Sequence, residues 1–496
     1  MALTIDISSA SGSDVKPGPC RPTKAKYAWR EVDRRDPPKR AASQRIADFN
    51  EIYSLHDEAT VREQASRCIQ CPKPSCMSGC PLSNRIPEWL ALAAEGDFLG
   101  AAEISLSTSN MPEICSRVCP QERLCEGSCI LNGRSDPVCI GAVEKFINEY
   151  ALARSAAEGS PPEPNGFAVA VVGSGPGGMA CADELAKLGY AVTIFEAQAS
   201  AGGLLVNGIP SFKLEKSVVE RRLGVLRQRG VVFRLGVQVG KHISLRELLD
   251  SYDAVFLGIG AQKAKELEIP GSELKGIFQS LPFLIQKNVP ISLQTPPIDV
   301  RGKRVVVLGG GDTAMDCLRT AIRCGATEAT CIYRRDLANM PGSRKEYANA
   351  LEEGARFMFL TNPISLEASS GQQLSGVRCI RMELGEPDGS GRRKPRPVSG
   401  TEITVRADVL LVAYGFDPVP FPQGSDLSKI AVNDWGGIRV DVNQMTSMPG
   451  VFAGGDDVRG PSLVVHAVRD GRKAALAIHA HIIGEHEAAR NASQRA

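Results

Sequence analysis

Neither sign of charge is in surplus in this chain of 496 residues: 58 Lys and Arg stand against 56 Asp and Glu. A balance that close builds no field able to gather nucleic acid or an acidic membrane surface. The one basic-biased stretch, Arg21 to Arg45, is interleaved with Asp and Pro and reads as a solvated arm within an extended segment 1–45. Long apolar runs are missing too, and none approaches the roughly 18 residues that a membrane helix needs. The opening MALTIDISSASGS has no positive start followed by an apolar stretch, so it does not read as a secretory signal. These absences point to a cytoplasmic chain, long enough for about three units of ordinary domain size.

Cysteine is concentrated in one place. Of fifteen cysteines, nine fall between Cys68 and Cys139 and only five follow. In a reduced chain, thiols gathered in one short segment bind metal there rather than forming a disulfide framework. The spacing is Cys68-x2-Cys71-x4-Cys76-x3-Cys80-Pro, then Cys115-x3-Cys119-Pro-x4-Cys125-x3-Cys129. Zinc ribbons repeat the C-x2-C knuckle, which occurs once here. Cys-Pro steps at Cys71, Cys80 and Cys119 among dense thiols favour iron–sulfur clusters. Around them the sequence predicts a helix from Thr60, through a capping box with Glu63, and another over 87–96. A Pro-, Gly- and Ser-rich linker spans 155–166.

Beyond the linker the pattern becomes strand, glycine turn, helix, twice over. AVAVV (168–172) leads to Gly173-Ser-Gly175-Pro-Gly-Gly178, a helix stopped at Gly189, and AVTIF (191–195) closed by Glu196. Gly173 permits the tight turn, Gly175 lets a pyrophosphate reach the backbone, and Gly178 brings helix and strand together; Glu196 is placed for ribose hydroxyls. RVVVL (304–308), Gly309-Gly-Gly311-Asp312-Thr-Ala314, a helix stopped at Gly325 and ATCIY (329–333) repeat the plan. There the second strand ends in Arg334 and Arg335 rather than an acid. Guanidinium pairs with a 2′-phosphate that a carboxylate would repel, so this half should take NADPH. A further echo, YDAVFLGIGA (252–261) against ADVLLVAYGFDP (407–418), suggests where the chain passes between the halves. The expected organisation is a helical domain over 1–160, a first nucleotide domain over 165–295 and 407–496, and a second inserted over 296–406. The fold class is thus α/β, with two Rossmann-like domains behind a helical iron–sulfur domain.

TSMPGVFAGGD (446–456) resembles the flavoprotein signature whose Asp, here Asp456, holds the ribityl chain of FAD; Gly202-Gly203-Leu204 resembles the flavin-contacting turn. His466, in the helical stretch that follows, reads as a packing residue. Further, CIQCPKPSCMSGCPLSNRIPEW, RVCPQERLCEGSC and IGAVEKF resemble a domain shared by three relatives: the glutamate synthase small (beta) subunit, the N-terminal part of dihydropyrimidine dehydrogenase, and the large subunit of ferredoxin-linked NADPH transhydrogenases (NADH-dependent ferredoxin:NADP oxidoreductase). The likeness runs from about Lys39 to Arg472. The spacing of VCPQERLCEGSC is nearer the latter two, and PLSNRIPEW nearer glutamate synthase.

The resemblance implies two [4Fe–4S] clusters, one held by Cys68, Cys71, Cys76 and Cys129. The other would be held by Cys80, Cys119, Cys125 and a non-cysteine ligand at Glu144, leaving Cys115 and Cys139 as buried small residues. It implies hydride transfer from NADPH to FAD, single-electron export through the clusters, no side chain acting as acid or base, and a large glutamate synthase subunit carrying FMN as partner in a hetero-oligomer. A start at Met1-Ala2 offers no N-terminal cysteine nucleophile and no FMN barrel follows residue 496, so this chain alone is not expected to make glutamate. The alternatives are a ferredoxin-linked transhydrogenase subunit and, in another class, a zinc-bound assembly scaffold with vestigial nucleotide folds. A disulfide reductase is disfavoured, because Cys317, Cys324 and Cys331 form no C-x-x-C.

Overall fold

The computed structural model describes residues 25–154, 162–289, 296–387 and 393–495. In the cysteine-rich module, helix Glu58–Ser66 is capped by Asp57, whose carboxylate accepts the Thr60 N–H at 2.7 Å. The cap therefore lies three residues before the expected capping box. An acidic cap meets both the free N–H groups and the positive end of the helix dipole, which a threonine hydroxyl does less well. Helix Ile86–Glu95 stops at Gly96, φ 93°. With Phe98–Thr108 and Ile140–Arg154 it encloses Trp89, Leu90, Val143 and Ile147.

The arm expected to be solvated is anchored from Ala25 onward; its part before Ala25 lies outside the described residues. Arg34 pairs with Glu126 at 2.8 Å, and the fully buried Arg45 reaches Glu353 at 2.9 Å. Its basic bias is matched by carboxylates about 90 and 300 residues away in sequence. Composition cannot show that pairing.

The first parallel sheet has the order Val451–Ala453, Ala254–Leu257, Ala168–Val172, Ala191–Glu196, Val232–Leu235. A second repeats the plan as Ile277–Gln279, Val409–Val412, Arg304–Leu308, Glu328–Tyr333, Arg356–Phe359. The two echo segments thus occupy equivalent places, each beside a glycine-fingerprint strand. Two expected domain limits are corrected by this pairing. Ile277–Gln279 and Val409–Val412 belong to the second sheet, so the inserted domain begins before 296 and ends after 406. The crossings are Lys263–Ala264 going out and Phe416–Asp417 coming back, paired antiparallel. An antiparallel sheet of Thr361–Ala368, Leu374–Pro387, Arg393–Pro397 and Ile403–Arg406, which the sequence pattern did not reveal, completes the insert.

One hydrophobic core crosses a domain boundary. Met111, Ile114 and Cys115, on and beside helix Pro112–Val118 of the cysteine module, join Met179, Cys181, Leu185 and Phe452 of the first α/β domain. Beside it Glu113 accepts both Nε and Nη2 of Arg222, at 2.8 and 2.9 Å, with both side chains buried. Breaking one member of such a pair leaves the other charge buried. Glu113→Ala should therefore destabilise the protein by about 3 kcal/mol, and the paired change Glu113→Leu with Arg222→Met by much less. Chemical denaturation followed by flavin fluorescence checks this; equal losses in both variants would refute it.

Candidate functional site: two nucleotide cradles and two cysteine cages

Each fingerprint is built against the strand beside it. Gly173 has φ 98°, and a Cβ there would lie 2.3 Å from the Gly258 carbonyl oxygen. Gly309 has φ 132°, and its Cβ would lie 2.3 Å from the Ala413 carbonyl oxygen. Gly175 and Gly311 face open space instead, with no heavy atom within 4 Å of an added Cβ. Each caps its helix, Pro176–Lys187 or Asp312–Arg323, without a side-chain bond, so N–H groups of the first turn stay available to an anion. The cradles thus fit a dinucleotide pyrophosphate. Gly178 stands 1.9 Å, by its absent Cβ, from the Gly173 carbonyl oxygen, and Ala314 is fully buried. Both are packing positions.

At the first cradle Glu196 accepts the Ser174 N–H at 2.9 Å, its hydroxyl at 2.6 Å and the Gln198 N–H at 2.8 Å. The structure therefore gives Glu196 a loop-bracing contact beyond the ribose contact expected of it. Gly203 closes over the fingerprint, its Cβ position 2.9 Å from Gly175 Cα, and Leu204 opens the short helix Leu204–Asn207. Asp456 begins helix Asp456–Arg459 and accepts the Ser462 N–H at 3.1 Å; burial pushes its pKa up to about 7. Sequence reasoning missed its neighbour. Asp457 is fully buried, accepts the Ile259 N–H at 2.9 Å through Oδ2, and leaves Oδ1 without a partner. The doubled acid after Gly454-Gly455 was the only signal for it. His466 is half-buried, with its Nδ1 2.7 Å from the Ser462 hydroxyl.

At the second cradle Asp312 accepts the Ser343 N–H at 2.9 Å. The two arginines diverge. Arg334 is exposed beyond Tyr333, near enough to Tyr414 for its charge to act there. Arg335 is buried, its Nε donating to the Arg393 carbonyl at 3.0 Å. The expected pair is thus one open guanidinium and one packed against the antiparallel sheet. Successive strand residues point to opposite faces, and this divergence continues that alternation.

Cys68, Cys71, Cys76 and Cys129 line one small cavity with Pro87, Leu90 and Ile140. Burial and the neighbouring thiols push Cys68 up to about 11 and Cys76 up to about 12. Cys80, Cys119 and Cys125 form the second group, and Glu144 acts electrostatically on all three. Its carboxylate accepts Asn84 Nδ2 at 3.0 Å, and burial, with Glu113 adding, pushes it up to about 8. The structure also brings Cys115 to this group, where it hydrogen-bonds with Cys119. Cys139 stands apart near Arg34 and Glu126. Among the described residues no three His, Cys, Asp or Glu side chains converge where one metal ion could sit. The sulfurs of the first group line a space, a geometry that fits a multi-atom cluster better than a zinc knuckle.

Residues 45–156 match the family described as dihydropyrimidine dehydrogenase domain II, 4Fe-4S cluster, and residues 167–471 match pyridine nucleotide-disulphide oxidoreductase. The fold resembles that of FprA from Mycobacterium tuberculosis, with TM-score 0.56 and 23% identity over 66% of this chain and 86% of that one. The chain is 46% identical to the glutamate synthase [NADPH] small chain of Azospirillum brasilense, across 92% of this chain and 96% of that one. It is 44% identical to its counterpart in Escherichia coli K12, across 90% and 97%. With both cradles and both cysteine groups in place along that length, the chain belongs to the glutamate synthase small-chain family.

Proposed function

We propose that this chain is the NADPH-oxidising electron-input subunit of a glutamate synthase, delivering electrons to a large chain that forms glutamate from glutamine and 2-oxoglutarate. The observation that carries this reading is the joining of a cysteine-cage module to a flavoprotein-type domain through one shared core. When bound, NADPH would supply a hydride, FAD would convert it to single electrons, and iron–sulfur clusters would carry these onward. The transhydrogenase reading has in its favour only the spacing of VCPQERLCEGSC, and the zinc-scaffold reading has no observation among the described residues. Among the described residues no helix is long and apolar enough to cross a membrane.

The residues' tasks follow from their places. Gly173, Gly175 and Gly178 with Glu196, Gly203, Leu204 and Asp456 would seat FAD, and Asp456 stands at a helix start beside the Ser462 turn. Gly309, Gly311, Asp312, Ala314 and Arg334 would seat NADPH, with Arg335 bracing the strand end. Two clusters are assigned, one to Cys68, Cys71, Cys76 and Cys129, the other to Cys80, Cys119, Cys125 and Glu144. Cys119 packs on the shared core, so its cage borders the flavoprotein domain. Cys129 precedes Ile130, which is 47% exposed, so the other cage lies toward solvent and an incoming large chain.

Purified alone, the chain should reduce ferricyanide with NADPH yet form no glutamate from glutamine and 2-oxoglutarate until a large chain is added. Glutamate formation by the small chain alone would overturn the assignment.

Arg334→Ala should raise the KM for NADPH roughly ten- to hundredfold, the loss of one charge-assisted hydrogen bond, while NADH turnover changes little. Arg335→Ala should lower thermal stability more than nucleotide selectivity. The reverse pattern would show that Arg335 reads the phosphate.

Glu144→Ala should remove the iron and electron paramagnetic resonance signal of one cluster, leaving FAD content intact. Cys115→Ala should keep both clusters. Iron lost from Cys115→Ala but not from Glu144→Ala would transfer the eighth ligand to the thiol.

A further inference from the structure

A cavity of about 510 Å³ lies where the cysteine module, the first α/β domain and the inserted domain meet. None of the fingerprint glycines, Glu196, Asp456, Arg334, or the residues assigned to the clusters lines it. Most charges in its wall are already paired: Arg34 with Glu126, Arg117 and Lys145 with Glu51, and Lys213 with Asp316. Three basic groups are not, and Glu122, which makes no salt bridge among the described residues, accepts the Ser343 hydroxyl at 2.8 Å and the Arg344 N–H at 3.1 Å. His56 is only 7% exposed, and its Nε2 has no partner. Arg344 donates Nη2 to the Ala338 carbonyl at 3.2 Å, but its buried Nη1 has none. Lys345 lies 4.1 Å above the Tyr53 ring and makes no salt bridge among the described residues.

Arginine and lysine can only donate, and a neutral imidazole can present an N–H at Nε2. A buried donor left unmatched is costly, so such a set lacks one kind of complement, an acceptor carrying negative charge. Ile52, Leu55 and Phe212 add apolar wall, and the volume is that of an ordinary small-molecule site.

We propose that this three-domain cavity binds a small organic oxyanion, with Arg344, Lys345 and His56 as its recognition groups. An anion held by His56 together with Arg344 and Lys345 would join the cysteine module to the inserted domain, so its occupancy would favour their docked arrangement over any looser one. Carboxylate and phosphate share the required chemistry, and two probes separate them.

Full-length holoprotein is titrated calorimetrically with glutarate and with glycerol 3-phosphate, against chloride at equal ionic strength. One probe or both should bind saturably at millimolar or lower concentration, and the stronger names the group recognised. The double variant Arg344→Gln with Lys345→Gln should weaken that binding roughly tenfold or more, with FAD and iron content unchanged. Should that variant fold poorly, His56→Gln should still weaken binding measurably. Absence of binding beyond the chloride control, undiminished binding in well-folded variants, or displacement of the probe by NADPH would each overturn the proposal.

Discussion

The rest of the structure depends on the core that Met111, Ile114 and Cys115 share with the first α/β domain. Domains joined by a linker alone drift relative to one another, and only a large apolar interface prevents it. Here the relation between the modules rests on packing at this core. A close-packed apolar seam has few alternative arrangements. The Glu113–Arg222 pair adds direction, because two parallel hydrogen bonds fix the rotation of helix Pro112–Val118 on its bed. Cys115 and Cys119 are on and beside that helix, so one side of the second cage is held by the flavoprotein domain itself.

The inserted domain is held differently. Its covalent connections are the paired crossings Lys263–Ala264 and Phe416–Asp417, and the remainder of the contact is mostly charged. Phe212, from the first α/β domain, lies between Arg319 at 4.2 Å and Arg323 at 4.1 Å. Arg45 approaches from the arm, and all three guanidiniums pair with Glu353. Burial opposes the charge on Glu346, yet Arg319 and Lys213 pull its pKa down to about 2. A carboxyl depressed in the fold stabilises it above the ordinary carboxylate range and loses that contribution as pH falls toward 2. An apolar seam on one side and a polar one on the other are a physical basis for a fixed cluster module and a more adjustable nucleotide domain.

Much of this was legible because it is local. A glycine fingerprint is forced by backbone geometry within a few residues, and Gly173 and Gly309 stand as that logic requires. The cysteine groups were visible as spacing. What escaped was long-range. The run at Val409–Val412 is equally apolar whichever sheet takes it, so the limit at 407 could not be read from periodicity. Arg335 looked like a phosphate-reading group and Arg45 like a solvated charge because their partners, Arg393 and Glu353, are distant in sequence. The resemblance left Cys115 over, although it stands one helical turn from Cys119, whose N–H donates to the Cys115 carbonyl at 2.9 Å. Asp57, three residues before the expected Thr60, is the cap, in an extended backbone conformation at the helix start.

The geometry around Glu144 bears on why a carboxylate rather than the nearby Cys115 is the assigned eighth ligand. Asn84 Oδ1 accepts from Trp89 Nε1 at 3.1 Å and from Thr108 Oγ1 at 3.1 Å. With its oxygen so engaged, the amide cannot flip without losing both bonds, and its Nδ2 must point at Glu144. Trp89 is fully buried, so the orientation is fixed by the module's core. An oriented hydrogen bond to a ligating side chain is the usual support behind a metal site. The described contacts of Cys115 are a different kind: it is packed among Met111, Ile114 and the apolar residues of the neighbouring domain. Glu144 lies among Cys80, Cys119 and Cys125 on a helix whose next residue, Lys145, is tied to Glu51 at 2.8 Å, whereas the Cys115 thiol meets the same group beside Cys80 and Cys119 with no such oriented support. The proposed choice of Glu144 thus rests on its fixed orientation by Asn84 and not on any bar to the thiol.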